Sequence, residues 1–357
     1  MALEPAPVSS SSRLYTSAIA LHFLLLDCKT HSPRIIKWLD GYYTSCDQRA
    51  AYPSQATSYS VEIEELGSPA ALKFEQDRNG IFTKFRIANA HCYFEDGIFY
   101  SSETGQFAHQ IEIDVINRTL RANIGGEFIE SEESFIYNVM RDLLGKLLLP
   151  VNRLMMMHGA VVTDGTNTIF LAGDKGMGKS TIALKMVESG YKILSDDSPL
   201  FTYIDGKTLA LSSLDELSVT ENTLKLFPQF VDSVSRQREI SGKYFVSRAA
   251  LGPTKLASGP YPITHFIQLN RGACDQPALT ETNKTQVTGE LLREFMSIFN
   301  QRIVLSADPQ FFKNVTRFIF DTTSSLLVDA RSYRLDYDNR DLDRIPELIE
   351  STAAIQR

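Results

Sequence analysis

Eight residues constrain this chain more than any other stretch: Gly173-Asp174-Lys175-Gly176-Met177-Gly178-Lys179-Ser180. They satisfy G-x-x-x-x-G-K-[ST] at every required position. Glycines let a backbone curl until successive N–H groups point inward around phosphate oxygens. A helix that starts at the loop's end adds its positive dipole end. The pattern therefore needs a strand leading in and a helix leading out. The apolar run Thr168-Ile169-Phe170-Leu171-Ala172 supplies the first, and a helical segment from Lys179 to about Ser189, closed by Gly190, supplies the second. A further strand, Tyr191–Leu194, follows at once. Strand, loop, helix, strand predicts an α/β domain.

The loop and its neighbour Thr181 are the expected cradle of a nucleoside triphosphate. Lys179 is expected to reach the β and γ phosphates, and the Ser180 hydroxyl to ligate Mg²⁺. Two flanking features suit the same chemistry. Asp196 and Asp197 close the strand after the helix, and ligands of open α/β sheets lie at the carboxyl ends of strands. One carboxylate there can hold Mg²⁺ and the other can accept the proton of an attacking hydroxyl; adjacent strand residues point to opposite sides, so the two roles remain interchangeable on the pattern. His158 precedes Gly159 at the opening of a strand pair, Ala160–Val162 and Thr168–Ala172, around the turn Asp164-Gly165-Thr166-Asn167. A hairpin here would return the His158 end to the loop.

The remainder reads as a second region ahead of the loop. A chain of 357 residues suggests two domains. Residues 1–12 read as a tail, 13–150 as a β-rich α+β domain for recognition or scaffolding, and 151–357 as the catalytic domain. Ala18–Leu26 predicts one buried strand, and Ser32-Pro33 a helix start with Ile35, Ile36 and Leu39 on one face. Period-two patterning over 58–127, punctuated by Asn79-Gly80, Asp96-Gly97 and Gly125-Gly126, predicts an antiparallel meander. An apolar stripe from Phe135 to Leu148, with Ser131 as its cap, predicts a helix that ends at Pro150. Helices near 288–300, 309–322 and 340–352 and a strand around 325–337 complete the pattern.

Composition narrows the partners. Lys plus Arg is 36 against 43 for Asp plus Glu, a formal charge of −7, which argues against nucleic acid as a partner. The Ala18–Leu26 run is too short to span a membrane. The cysteines Cys28, Cys46, Cys92 and Cys274 form no C-x-x-C pair, which fits reduced thiols in a cytoplasmic protein rather than zinc ligands. A homo-oligomer is left open.

His158-Gly159-Ala160, the loop 173–180 and Ser195-Asp196-Asp197, in that order and spacing, resemble the catalytic core of the HPr kinase/phosphorylase family. The likeness is strong over about residues 154–200. It implies a P-loop kinase domain with a mixed sheet, related to the phosphoenolpyruvate carboxykinase fold, and ATP and Mg²⁺ as cofactors. It also implies Asp196 as the base for a serine hydroxyl, Asp197 as a metal-side carboxylate, and His158 as an orienting group. Two departures shape the expectation. Thr181 stands where the family commonly carries Glu after the loop's Ser. The family's E-x-R-G element is missing, and the region reads Leu214-Asp215-Glu216-Leu217-Ser218 and Thr220-Glu221-Asn222. The chain is thus more similar to divergent HPr-kinase-related proteins, some of which phosphorylate serine in ribosomally made precursor peptides. The expected partner is a protein or peptide with a serine hydroxyl; the alternatives are a small-molecule kinase and a non-catalytic nucleotide-binding adaptor. Glu216 and Glu221 are weaker metal candidates, and Lys243 and Arg248 weaker cationic ones.

Overall fold

A computed structural model describes residues 13–21, 24–43, 57–66, 81–84, 89–95, 97–103, 106, 108–144, 148–149, 152–212, 216–238, 242–257, 259–285, 287–289, 291 and 309–354. The chain divides into two units, Met1–Leu147 with Gln301–Pro309, and Leu148–Asn300 with Gln310–Arg357. Both combine helices with mixed sheets. Among the described residues no helix is long and apolar enough to cross a membrane.

The first unit is built on β1 (Tyr15–Leu21), β2 (Leu24–Thr30), α1 (Pro33–Tyr43), β3 (Thr57–Glu65), β4 (Ile81–Lys84), β5 (Asn89–Glu95), β6 (Ile98–Glu103), β7 (His109–Asp114) and β8 (Thr119–Ile124). They form one sheet in the order β1-β2-β3-β8-β7-β6-β5-β4. Period two decides its faces: Tyr59, Val61, Ile63, Ile111, Ile113, Leu120 and Ile124 are buried, while Glu62, Gln110 and Arg121 between them are exposed. Ser32 caps α1, its hydroxyl accepting from Ile35 N at 3.2 Å. Ser131 likewise accepts from Ser134 N at 3.0 Å. The helix it caps begins as α2 (Glu132–Ser134) and continues over Phe135–Leu144 with π-helical geometry rather than the expected α, burying Phe135, Ile136, Val139 and Met140.

Two expectations change here. The single strand over Ala18–Leu26 is a hairpin, β1 against β2, with Leu21 opposite Leu24. No Gly, Pro or Asn marks that turn, so an unbroken apolar run concealed it. Within the expected meander only β4 to β8 are antiparallel to their neighbours in the run; β3 is parallel to both β2 and β8. The crossover through α1 is what allows β2 and β3 to run the same way. The turn signal at Gly125-Gly126 ends β8 and opens the 3₁₀ turn Gly126–Ile129. The 1–12 tail, Asn79-Gly80, Asp96 and Pro150 lie outside the described residues.

The second unit holds β9 (Met155–Met156), β10 (Ala160–Thr163), β11 (Thr168–Ala172), α3 (Lys179–Glu188), β12 (Lys192–Ser195), β13 (Leu200–Ile204), β14 (Lys207–Leu211), β15 (Glu216–Val219), α4 (Glu221–Leu226), β16 (Val234–Arg238), β17 (Lys243–Ser247), β18 (Tyr261–Pro262), β19 (His265–Arg271), β20 (Ala278–Glu281), α5 (Pro309–Asp329), β21 (Arg331–Tyr337) and α6 (Ile345–Ala354). Its central sheet has the order β12-β10-β11-β19-β21-β20. β11, β19 and β21 are parallel, and β10 is antiparallel to both its neighbours. All four residues of β10 and all five of β11 are buried, as a sheet covered on both faces requires. α3 packs on β10, β11 and β12 and against α6. α5 is tied to β14 through Thr208 Oγ1, which donates to Thr322 O at 2.6 Å. The final strand starts at Arg331 rather than near 325, because α5 continues to Asp329. Two smaller sheets, β18-β14-β13-β9 and β15-β17-β16, flank the central one. Most of the expected 288–300 helix lies outside the described residues.

Candidate functional site

The hairpin register decides where His158 goes. Ala160 pairs with Leu171, so the His158 end of β10 lies beside the point where β11 enters the loop. On the other flank, β12 pairs with β10, and Gly159 N donates to Asp197 O at 3.2 Å. The sheet order β12-β10-β11 therefore brings Asp196, Asp197, His158 and the 173–180 loop to one end. These residues are distributed over 39 positions between His158 and Asp197.

Within the loop, Gly173 has φ 145° and Gly178 φ 83°, left-handed values that favour glycine. Gly178 is also the residue from which α3 starts. Lys179 is buried, and its Nζ donates to the carbonyls of Gly173 at 2.5 Å and Asp174 at 3.0 Å. That places the ammonium inside the curl of the backbone. Asp174, Lys175 and Gly176 are exposed, and Met177 is half-buried. The Ser180 hydroxyl donates to Ser218 O at 3.4 Å. Thr181 turns away, its hydroxyl 3.0 Å from that of Thr223 on α4, a hydrogen bond that ties α3 to α4.

The two aspartates sit in unlike surroundings. Asp196 is 2% exposed; Oδ2 accepts from Ser218 N at 2.7 Å, and Oδ1 is buried without a hydrogen-bond partner. Burial first, and the Asp197 charge second, push its carboxyl up to about 6, against the pull of the Ser180 hydroxyl, Ser218 N–H and Lys243. Asp197 is about one-third exposed, and its Oδ1 accepts from Lys243 Nζ at 2.9 Å. His158 Nδ1 lies 3.2 Å from Asp197 O and 3.8 Å from Asp197 Oδ1. Burial lowers the His158 pKa, as do the charges of Lys179 and Lys243, and Asp197 only partly offsets them. The imidazole is therefore neutral at neutral pH, with one ring nitrogen free to accept.

Of the weaker candidates whose side chains are described, Lys243 joins this group. Glu221 is exposed on α4 and pairs with Lys225 at 2.9 Å. The side chains of Glu216 and Arg248 lie outside the described residues. Three contributors carry no motif at all. Ser218 supplies an amide to Asp196 from β15. The Tyr337 hydroxyl donates to Met177 O. Arg271 N donates to the Met177 sulfur at 3.5 Å. Their signal is tertiary, since the Tyr337 contact spans 160 residues.

The arrangement suits a magnesium ion held between protein and phosphate. Among the described residues no group of three or more His, Cys, Asp or Glu could hold a metal alone. The unpartnered, buried Oδ1 of Asp196 and the half-buried hydroxyl of Ser180 are the oxygens that fit it.

No family model matches the chain, and neither does any curated protein. Among solved structures, the Hpr(Ser) kinase/phosphatase from Coxiella burnetii is similar over 56% of this chain and 97% of that chain, with 11% identity and a TM-score of 0.29. A likeness that slight carries no argument about fold or chemistry, which rest on the residues and distances above.

Proposed function

We propose that the protein is an ATP- and Mg²⁺-dependent phosphotransferase acting on a serine hydroxyl of a protein or peptide, with a catalytic domain of the HPr-kinase type. The observation that carries this reading is the convergence of Lys179, Ser180, Asp196, Asp197 and His158 at one end of β10, β11 and β12. Loop amides and Lys179 hold the β and γ phosphates. Ser180 and Asp196 would hold a magnesium ion, which when bound would offset negative charge on the transferring group.

Burial favours exchanging the two carboxylate roles that the resemblance implies. Asp196 is enclosed and carries the unpartnered oxygen, which suits the metal side. Asp197 is accessible and lies beside His158 and Lys243, which suits the acceptor side. Asp197 takes the hydroxyl proton as the serine oxygen forms its new P–O bond and the bond to the β-phosphate oxygen breaks, leaving ADP. Lys243, bound to Asp197 at 2.9 Å, holds that carboxylate in place, and neutral His158 orients the incoming hydroxyl.

Purified protein incubated with ATP, Mg²⁺ and serine-containing peptides is expected to yield phosphoserine, read by mass spectrometry. Asp197→Asn should abolish transfer while keeping MgADP binding, whereas Asp196→Asn should raise the Mg²⁺ concentration needed for half-maximal binding. Transfer that survives Asp197→Asn would show the base assignment to be wrong. Nucleotide binding without transfer to any peptide would turn the reading toward a small-molecule kinase or an adaptor.

A further inference from the structure

β11, β19 and β21 are parallel neighbours, so their carboxyl ends lie side by side. The first ends in the 173–180 loop, the second in Arg271 and the third in Tyr337. Both distal ends grip the same loop residue. The Tyr337 hydroxyl donates to Met177 O, and Arg271 N donates to the Met177 sulfur at 3.5 Å. A Cβ added to Gly178 would run into the Tyr337 hydroxyl, so loop and phenol are in close contact. Tyr337 is buried at 1% exposure, and its backbone is fixed as well, with Gly272 N donating to Tyr337 O at 3.0 Å.

We infer that Tyr337 is a positioning residue for the phosphate loop: its hydroxyl sets the plane of the Met177–Gly178 peptide. This inference rests on the nucleotide-binding reading above. A trans peptide points its C=O and N–H in opposite directions, and no described peptide bond is cis. With the Met177 carbonyl held toward β21, the Gly178 N–H is turned away from that strand, to the side where a phosphate oxygen accepts it. The left-handed φ of Gly178 leaves this peptide free to flip at little steric cost, so an outside hydrogen bond is needed to select one orientation. Tyr337 supplies that selection from β21, an interior strand of the six-stranded sheet, 160 residues away from the Met177 it holds.

Tyr337→Phe removes the hydroxyl and keeps the ring. Titration of full-length protein with MgADP should show affinity about three- to ten-fold weaker than wild type, the size of one lost hydrogen bond. Selective ¹⁵N-glycine labelling gives a second measurement: the Gly178 amide resonance should move on MgADP addition in the wild type and move less in the variant. A purely structural role predicts a lower melting temperature with unchanged MgADP affinity and an unchanged Gly178 response, and that outcome overturns the inference. If wild-type protein binds no MgADP, the nucleotide reading itself fails and takes this inference with it. If the wild type binds and the variant binds equally, only the role of Tyr337 falls.

Discussion

The two units handle buried polarity differently. In the first, a single eight-stranded sheet encloses Tyr59, Val61, Ile63 and Leu120 on one side, with charges such as Glu62, Glu112 and Arg121 displayed on the other. The second unit uses three smaller sheets and directs Lys179, Thr181, Ser195, Asp196, Ser218 and Thr223 inward near one set of strand ends. Burying such groups costs free energy unless they are paired, and Asp196 Oδ1 lacks a partner. The broad sheet also buries polar groups, Ser101, His109 and Glu103 Oε2 among them; what sets the second unit apart is that its buried polar groups gather at one set of strand ends.

The strongest way to break this contrast is Lys179→Ala. Phosphoryl transfer should fall by about 10³-fold or more if the ammonium stabilises the transferring phosphate, and a kinetic assay that found full activity would place the site elsewhere. Leu26→Ala, in the first unit, should act on stability alone. It removes a fully buried side chain from β2, so denaturant unfolding should show a loss of about 2–5 kcal/mol. MgADP affinity of the folded variant should match wild type; a change there would mean the units do not divide packing from chemistry.

Asp196→Asn sharpens the comparison through pH. The folded-state carboxyl titrates near 6 and its ordinary value is 3.8, so between those values the folded protein holds a proton that the unfolded chain has released. Stability from this group is present in full below about pH 4 and is lost as pH rises through about 6. Without magnesium the loss is on the order of 3 kcal/mol at neutral pH, and the Asn variant should lack that decline in thermal or denaturant unfolding followed from pH 4 to 8. A wild-type profile that is flat across this window would argue against a buried, proton-holding Asp196. The smallest effect should come from Arg121→Ala. Its guanidinium lies 3.4 Å from Glu62 and 3.5 Å from Glu112 at 65% exposure, so the change should be within about 1 kcal/mol by chemical denaturation.

Local chemistry made several elements legible. The turn at Asp164-Gly165-Thr166-Asn167 is one, because Asp164 Oδ1 accepts from both Thr166 N at 2.8 Å and Asn167 N at 2.6 Å. The start of α1 at Ser32-Pro33 and the end of α3 before Gly190 are others, each written in residues that cap or stop a helix. The β1–β2 turn was not legible, since no residue near it has turn chemistry. Nor was the parallel course of β3, because period two reports which face is buried and says nothing of strand direction.

The candidate site divides along the same line. The eight-residue motif and the Asp196-Asp197 pair stand out because their chemistry depends on neighbours in the chain. Ser218, Lys243 and Tyr337 reach the site from β15, β17 and β21, each brought there by strand pairing across long stretches of sequence. A conventional propensity reading sees in them a serine, a lysine and a tyrosine of ordinary strands.

By itself, then, the sequence determined the elements whose causes are local: a strand feeding a glycine-rich turn, the helix after it and a hairpin before it. Tertiary structure alone decided that Asp196 is enclosed and Asp197 accessible, that Lys243 pairs with Asp197, and that the Tyr337 hydroxyl reaches the loop at Met177 O. The physical reason is that caps, turns and periodicity act over a few residues. Desolvation and hydrogen-bond pairing across a sheet depend on which distant strands become neighbours, and that choice is made only when the whole core packs.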